Sequence, residues 1–117
     1  MSESKTRVET AAAPAAIGPY SQGVRSGDWV FVSGQIPLDP ASGALVAGGI
    51  REQTRRALEN LVGVLAAAGL GPGDALKTTV YMTDLRQFAE MNAVYGEFFA
   101  GTAPARATVE VRALPKG

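Results

Sequence analysis

The chain has 117 residues, of which 46% are hydrophobic and 19% are charged, which is the composition of one globular domain and not of a disordered chain. Its 11 basic residues balance 11 acidic residues, so a formal net charge of zero gives no long-range field that would attract a polyanion. The sequence contains neither cysteine nor histidine, which excludes disulfides, thiolate nucleophiles, histidine bases and cysteine/histidine zinc sites. Any catalysis must use arginine, carboxylates, hydroxyl groups, backbone groups and water.

The N-terminal segment lacks the features of a secretory signal. Residues 1–7 are polar and mixed in charge, and no apolar stretch follows them. The longest apolar stretch, residues 62–70, is interrupted by glycines and is too short to cross a bilayer. We therefore expect a soluble, cytoplasmic protein that has no membrane partner.

The first predicted elements are two strands that follow an N-terminal arm. Residues 1–14 lack periodicity and contain a proline that disfavours a helix, so we expect an extended arm. A short strand over residues 20–25 leads into a turn of hairpin length and then into residues 29–33, whose aromatic and β-branched side chains predict a second strand. Turn residues punctuate residues 34–49, which we predict to be a loop.

The rest of the chain alternates helices with strands. In chain order the predicted elements are a helix over residues 50–68, a strand over residues 75–83, a helix capped by Thr83 or Asp84, and a strand over residues 106–113. Gly69 is placed to end the first helix in the left-handed conformation.

These elements predict a single α+β domain over residues 1–117. The order β-β-α-β-α-β is most simply satisfied by one sheet with two helices packed on one face. The residues that we place on the other face, from the phase of each strand, are Trp29, Phe31, Ser33, Thr79, Tyr81, Arg106, Thr108 and Glu110. The opposite phase is apolar and consists of Val30, Val32, Val80, Met82, Val109 and Val111.

The face without helices carries much aromatic area for a surface that meets water. We therefore expect this face to pack against other copies of the chain, with polar residues lining clefts between the copies. The alternative is a solvated face with a few stray aromatic side chains.

Two further motifs have structural explanations that we prefer. Residues 69–73 are rich in glycine, but they lack the Lys-Ser/Thr of a phosphate loop and follow a helix, so we predict a helix end and a turn. Arg51, Arg55 and Arg56 form a basic cluster on the first predicted helix. Glutamates interleave with them at helical spacing, which indicates a salt-bridged face and makes a nucleic-acid partner the weaker interpretation.

Arg106 has the strongest chemical implication of any single residue. It begins the last predicted strand, and alternation assigns its side chain to the face without helices. A guanidinium there can bind a carboxylate through two parallel hydrogen bonds and so position a small organic acid. A structural arginine that bonds backbone carbonyls or Glu110 fits the spacing equally well, and the residues alone leave both interpretations open.

Four sequence blocks occur together in a distinctive order and spacing. They are AAIGPYSQ at 15–22, SGQIPLDP at 33–40, KTTVY at 77–81 and PARATVEV at 104–111. With these blocks, residues 12–117 resemble the reactive intermediate deaminase A family, the Rid or YjgF-like proteins. The resemblance implies a chorismate-mutase-like α+β fold, a homotrimer and clefts at the three subunit interfaces.

The resemblance also implies an activity and a set of site residues. The activity is hydrolysis of reactive 2-imino and enamine acids, 2-iminobutanoate and 2-iminopropanoate, to 2-keto acids and ammonia, without a cofactor or a metal. The imines themselves are released by pyridoxal-phosphate enzymes such as serine/threonine dehydratase. Carried over by motif, Arg106 holds the substrate carboxylate and acts in catalysis with Tyr20. The substrate-binding residues implied are Arg106, Tyr20, Ser33, Gly34, Asn92 and Thr108.

One departure from the family pattern concerns the C-terminus. Family members continue past the Leu-Pro turn at residues 114–115 into a strand whose glutamate positions or activates the water. We expect that the 117-residue form is weak or inactive, and that a further C-terminal strand with this glutamate restores activity. Glu110 is not its replacement, since relatives carry both glutamates.

Two other functions compete with imine hydrolysis. The first is a non-catalytic trimer that senses a small ligand or acts as a chaperone through the same clefts. The second is an endoribonuclease, an activity attributed to some relatives. The net charge of zero and the absence of histidine argue against the endoribonuclease.

Overall fold

The first three strands of the computed structural model, which describes residues 4–117, form an antiparallel sheet. β1 (Thr6–Val8) pairs with β2 (Gly23–Ser26), and β2 pairs with β3 (Trp29–Val32) through a tight turn in which Gly27 has a φ of 59°. The backbone at Gly23 is closely packed, because a Cβ there would lie 3.1 Å from the side chain of Val64 and 3.3 Å from the carbonyl oxygen of Phe31, so a larger residue would push these neighbours apart.

β1 lies within the segment that we predicted as an arm. The segment is extended, as expected, but residues 6–8 belong to the sheet. The sequence concealed this strand because its three residues contain only one apolar side chain, Val8, which is buried. Residues 1–3 of the predicted arm lie outside the described residues.

The other two strands form a separate parallel pair. β4 (Lys77–Met82) and β5 (Ala105–Glu110) pair in parallel, and no backbone ladder within residues 4–117 joins them to the first sheet. The strands therefore do not form the single sheet that we predicted, since β3 leads away into the loop before the first helix and β4 pairs only with β5. The α+β class and the alternation of helices with strands are confirmed.

The two helices of the described chain begin and end close to the predicted residues. α1 (Ile50–Ala67) ends as expected at Gly69, whose φ is 79°, while the N–H of Leu70 donates to the carbonyl of Leu65 at 2.8 Å. Asp84 caps a short turn before α2 (Phe88–Phe98) by accepting a hydrogen bond from the N–H of Arg86 at 2.9 Å. The glycine-rich residues 69–73 are thus a helix end and a turn, not a phosphate loop.

The apolar core lies in two clusters, one for each group of strands. Met82, Met91, Tyr95 and Phe99 are buried where α2 covers β4, and Val8, Ala13 and Val64 are buried where α1 covers the first sheet. α1 also packs Ile50, Leu58 and Leu61 against the first cluster, so this helix contributes to both clusters. In this chain no helix among residues 4–117 is both long and apolar enough to span a membrane.

The predicted faces are correct in β3 and β4 but wrong in β5. Exposure of the aromatic phase is confirmed, since Trp29, Phe31 and Tyr81 have 59%, 67% and 56% of their surface exposed. In β5, however, Arg106 pairs with Thr78 and lies on the face that α2 covers. The error affects every residue of this strand that we assigned to a face, which are Arg106, Thr108, Glu110, Val109 and Val111.

Candidate functional site

The Arg106 side chain lies against two aromatic rings of α2. Its guanidinium carbon is 4.6 Å from the centre of the Tyr95 ring and 5.4 Å from the centre of the Phe88 ring. Both distances are within the range of a cation–π interaction. Tyr95 is buried whereas 38% of Phe88 is exposed, so the half-buried Arg106 sits where the core meets the solvent.

Arg106 has no anionic partner among residues 4–117. Among residues 4–117 its guanidinium makes no hydrogen bond and no ion pair. Glu110, the partner that the sequence suggested, instead accepts a hydrogen bond from the N–H of Leu85 at 2.9 Å. The structural alternative for Arg106 is therefore not supported, because its N–H donors do not hold the fold together.

Helical spacing brings the residues around Arg106 together. Phe88, Asn92 and Tyr95 are four and then three residues apart, so they share one side of α2. The Tyr95 hydroxyl shares a hydrogen bond of 2.6 Å with the hydroxyl of Thr78, the residue opposite Arg106 in the β4–β5 register. The Tyr95 ring is thereby fixed beside the guanidinium, while Asn92, which lies between Phe88 and Tyr95 in the sequence, is exposed.

Thr108 adds a second free polar group on the same face of β5. It is two residues after Arg106, and its Oγ1 is buried without a hydrogen-bond partner in the described chain. Buried hydroxyl groups in folded proteins nearly always have a partner. The hydroxyl of Thr108 thus remains available to a ligand or to a neighbouring chain.

Tyr20, Ser33 and Gly34 form the other group of predicted site residues. The Ser33 hydroxyl donates to the carbonyl of Ser21, so its oxygen retains only acceptor capacity, and its N–H donates to the carbonyl of Gln22 at 2.9 Å. Tyr20 is 52% exposed. A Cβ added at Gly34 would meet no atom within 4 Å, so within one chain the backbone there is open to approach.

Gln22 is a buried residue that the sequence analysis missed. Its Oε1 accepts from the N–H of Thr10 at 2.7 Å, and its Nε2 lies 3.0, 3.2 and 2.8 Å from the carbonyls of Thr10, Ala13 and Pro14. Gln22 therefore holds the segment that leads to Tyr20. Its position inside the AAIGPYSQ block was the available signal.

Asn60 is a second missed residue, and it holds the loop that follows Gly34. It is fully buried, and its Nδ2 donates to the carbonyls of Ile36 at 3.1 Å and Leu38 at 2.9 Å. Its Oδ1 accepts from Arg56 at 2.8 Å. The signal was an amide on the apolar side of a predicted helix, four residues before Val64.

The two groups of predicted site residues are not brought together within one chain. No hydrogen bond or ion pair among residues 4–117 connects Tyr20, Ser33 and Gly34 with Asn92, Arg106 and Thr108. A surface depression of about 620 Å³ beside Tyr20 is lined by residues of the N-terminal segment and of β2, and its lining does not include Arg106.

The basic cluster of α1 is paired with carboxylates, as the glutamate spacing suggested. Arg55 donates to both carboxylate oxygens of Glu97 at 2.9 and 3.3 Å, and Arg56 pairs with Glu59 at 3.2 Å. The hydrogen bond from Arg55 lowers the pKa of Glu97 below its ordinary value of 4.5. This pairing leaves little free positive charge there for a nucleic acid. In addition, residues 4–117 contain no group of three or more acidic side chains that could hold a metal ion.

Comparisons with known proteins agree with the fold and with the resemblance. A family model described as Endoribonuclease L-PSP matches residues 10–117. The 2-iminobutanoate/2-iminopropanoate deaminase of Mus musculus is 47% identical over 110 residues, which cover 94% of this chain and 82% of that protein. Two solved structures from E. coli superpose with a TM-score of 0.90 and cover 95% of this chain and 89% of their own chains. They are TdcF with bound serine, at 48% identity, and the YjgF gene product, at 47% identity.

Proposed function

The chain belongs to the Endoribonuclease L-PSP family, which includes the YjgF and Rid proteins, and from this membership we propose that it hydrolyses 2-iminobutanoate and 2-iminopropanoate to the 2-keto acids and ammonia. The mouse relative is named for this reaction. The proposal needs a site that holds a small carboxylate and admits water.

The observation that carries the proposal is the unpaired guanidinium of Arg106. It is half-buried, lies 4.6 Å from the Tyr95 ring centre, and has no carboxylate partner among the described residues. Arginine binds a planar carboxylate through two parallel hydrogen bonds, which fixes the orientation of the acid as well as its position. The serine bound to TdcF is similar in size to the two imino acids and, like them, carries a carboxylate.

The chemistry fits the residue types that the chain offers. The oxygen of a water molecule bonds to C2 of the imine, and the electron pair of the C=N bond moves to nitrogen, which takes up a proton. The hydroxyl proton of the resulting carbinolamine is then transferred to its amino group as the C–N bond breaks, so that ammonia leaves and the carbonyl of the 2-keto acid forms. An imine carbon is already electrophilic, so positioning and proton transfer suffice, and the latter contributes about 100- to 10,000-fold.

Tyr20 and Ser33 take complementary roles in this proposal. The Ser33 oxygen, whose own proton is committed to the carbonyl of Ser21, can accept a hydrogen bond from the protonated imine nitrogen. The exposed hydroxyl of Tyr20 can both donate and accept, so it can carry a proton between water and nitrogen. Gly34 leaves the approach to Ser33 open.

We further propose that the two groups of site residues meet between copies of the chain in a homotrimer. The support is the exposed apolar face of the strands, formed by Trp29, Phe31, Tyr81 and Val109. Burial of such a face is the usual reason for association. A cleft between copies can combine Tyr20 and Ser33 of one chain with Arg106 of the next. Light scattering that shows only a monomer at micromolar concentration would contradict this arrangement.

The test of the activity is an assay in which an amino-acid oxidase or a dehydratase releases the imine and formation of the 2-keto acid is followed. The 117-residue protein should accelerate that step at least weakly, and Arg106→Ala should abolish the acceleration. Arg55→Ala is the matched control, because it removes an arginine that is already paired with Glu97. Equal activity of wild type and Arg106→Ala would refute the carboxylate-binding role.

A second candidate function is ligand binding without turnover. Glu110 lies on the same strand as Arg106, but its Oε1 accepts a hydrogen bond from the N–H of Leu85, and no carboxylate among residues 4–117 pairs with the Arg106 guanidinium. This observation favours a sensor or chaperone-like trimer that holds a 2-keto acid. Calorimetry that shows binding of 2-ketobutyrate, together with no acceleration of imine hydrolysis, would select this alternative.

The family description also names an endoribonuclease, and no feature of the described chain favours that activity. The net charge is zero, and Arg51, Arg55 and Arg56 of α1 are all paired with glutamates. We therefore expect neither salt-dependent RNA binding nor RNA cleavage.

A further inference from the structure

An arginine that makes no hydrogen bond needs another means of staying in place. Its long side chain has many rotamers, and a ligand that must first order it binds less tightly. Arg106 has no hydrogen bond or ion pair among residues 4–117, yet it is half-buried at a defined position. The groups in contact with it are the rings of Tyr95 and Phe88.

Aromatic rings can hold a guanidinium without using its donors. The attraction comes from the electron-rich face of the ring, so the N–H groups in the plane of the guanidinium remain free. A carboxylate would hold the side chain more directly, but it would occupy the same N–H groups that a ligand needs.

The two rings differ in how firmly they are fixed. Tyr95 is 6% exposed, packs on Phe99 with ring centres 4.5 Å apart and is hydrogen-bonded to Thr78. Phe88 begins α2 and is 38% exposed, so its ring is the more solvent-accessible of the two. Tyr95 is thus the fixed support, and Phe88 is a side chain that can be changed with little risk to the core.

We infer that Phe88 and Tyr95 are positioning residues that hold the Arg106 guanidinium ready for a substrate carboxylate and leave its donors free. The inference rests on the proposed function only in that the ligand is a small 2-keto or 2-imino acid. It predicts that carboxylate affinity depends on an aromatic ring at position 88, although this side chain supplies no hydrogen bond.

The test compares Phe88→Leu with Phe88→Tyr by calorimetric titration with 2-ketobutyrate. Phe88→Leu should bind about two- to fivefold more weakly, which is the strength of an exposed cation–π contact, and Phe88→Tyr should restore binding to about the wild-type value. In the imine assay KM should rise by the same factor for Phe88→Leu while kcat changes little, since the ring acts on carboxylate binding alone. Leu85→Ala is the matched control, because Leu85 is 39% exposed three residues earlier and should leave binding unchanged.

Several outcomes would overturn the inference. Wild-type affinity in Phe88→Leu would do so, as would equal weakening in Phe88→Tyr or in Leu85→Ala, because the ring itself would then not matter. NMR of the Arg106 side chain in the ligand-free protein gives a second readout. Its Nε–H resonance should shift in Phe88→Leu because a ring current is lost, and an unchanged resonance would also refute the contact.

Failure of the proposed function gives a different pattern. If the wild-type protein binds 2-ketobutyrate but hydrolyses no imine, the catalytic proposal fails and the titrations still decide the positioning role. If the wild-type protein binds no 2-keto acid, the carboxylate-binding role of Arg106 fails, and the positioning role fails with it.

Discussion

An arginine lies against each of two opposite sides of α2, and the two arginines are bound by different kinds of contact. On one side Arg55 of α1 donates to both carboxylate oxygens of Glu97, at 2.9 and 3.3 Å. On the other side Arg106 of β5 lies against Phe88 and Tyr95, at 5.4 and 4.6 Å from the ring centres. Positions 88 and 97 are nine residues apart, which is two and a half helical turns, so their side chains lie on opposite sides of α2.

The difference shows how one helix can use a cation either for packing or for binding. The donors of Arg55 are occupied by Glu97, so this arginine connects α1 to α2 and has little capacity left for a ligand. Arg106 is held by rings that leave its donors free, so the same type of side chain can bind an external anion. Substitutions can give Arg106 a carboxylate neighbour, free Arg55 from its carboxylate, or weaken the contacts of either arginine.

The largest effect should come from Arg106→Lys, which keeps the charge but removes the planar pair of donors. A lysine makes one point contact with a carboxylate where arginine makes two, and each charged hydrogen bond contributes about 1.5–3 kcal/mol. We expect 2-ketobutyrate to bind about 30-fold more weakly, measured by calorimetry. Binding within twofold of wild type would show that Arg106 does not bind the carboxylate through two parallel hydrogen bonds.

A smaller effect should follow Asn92→Asp, which gives Arg106 a neighbouring carboxylate as Arg55 has. The new charge lies on the same side of α2 as Phe88 and Tyr95, so it should compete with the ligand for the guanidinium and repel the ligand carboxylate. We expect binding about tenfold weaker than in Asn92→Ala, a control that removes only the amide, and the difference should shrink at high salt. Equal affinities for the two variants would place Asn92 away from the ligand.

Tyr95→Phe should weaken the fixed support of Arg106 and lower stability. The change removes the hydroxyl that bonds to Thr78 at 2.6 Å and keeps the ring, so the free energy of unfolding should fall by about 1 kcal/mol in urea titrations. Thr78→Val should have a similar effect, and the double variant should lose less than the sum of the two. Fully additive losses would mean that the two hydroxyls do not interact.

The smallest effect concerns Glu97→Gln, which frees Arg55. The hydrogen bond from Arg55 lowers the pKa of Glu97 below 4.5 in the folded protein, so the unfolded chain takes up the proton more readily. The stabilisation is therefore present above pH 4.5 and is lost as the pH falls through the folded-state pKa. In urea titrations the small advantage of wild type over Glu97→Gln should vanish in acid. A stability advantage of wild type that grows in acid would contradict a lowered pKa of Glu97 in the folded protein.

Local signals in the sequence predicted most of the elements because they depend on neighbouring residues. The helical spacing of apolar residues from Ile50 onward and the position of Gly69 predicted α1 to within one residue at its C-terminal end. The aromatic and β-branched residues from Trp29 predicted β3 and its exposed phase. These features depend on backbone preferences within a few residues.

Which face of β5 packs against the helices could not be predicted from local signals. Alternation shows which residues of one strand share a face, but it does not show which face meets the helices. We placed Val109 inside because it is apolar, yet it is 40% exposed, and the arginine lies inside because two rings of α2 accept it. The resemblance to a family also singled out Arg106, but the direction that alternation assigned to its side chain was wrong.

Gln22 and Asn60 were missed for a related reason. Each is a buried amide whose partners are backbone groups of a distant segment, such as the carbonyl of Leu38 for Asn60. Backbone carbonyls are present at every position, so the sequence contains no sign of which ones an amide will meet.

The most direct test of this account is an NMR titration of the protein, labelled with nitrogen-15 in arginine, with 2-ketobutyrate. The account predicts that the Nε–H signal of Arg106 moves in a saturable way while that of Arg55 stays in place, and that Arg106→Lys shows no saturable shift at any arginine. Saturable shifts with Arg106 unmoved, or equal shifts at Arg55 and Arg106, would contradict the claim that the arginine held by aromatic rings is the one that binds the substrate.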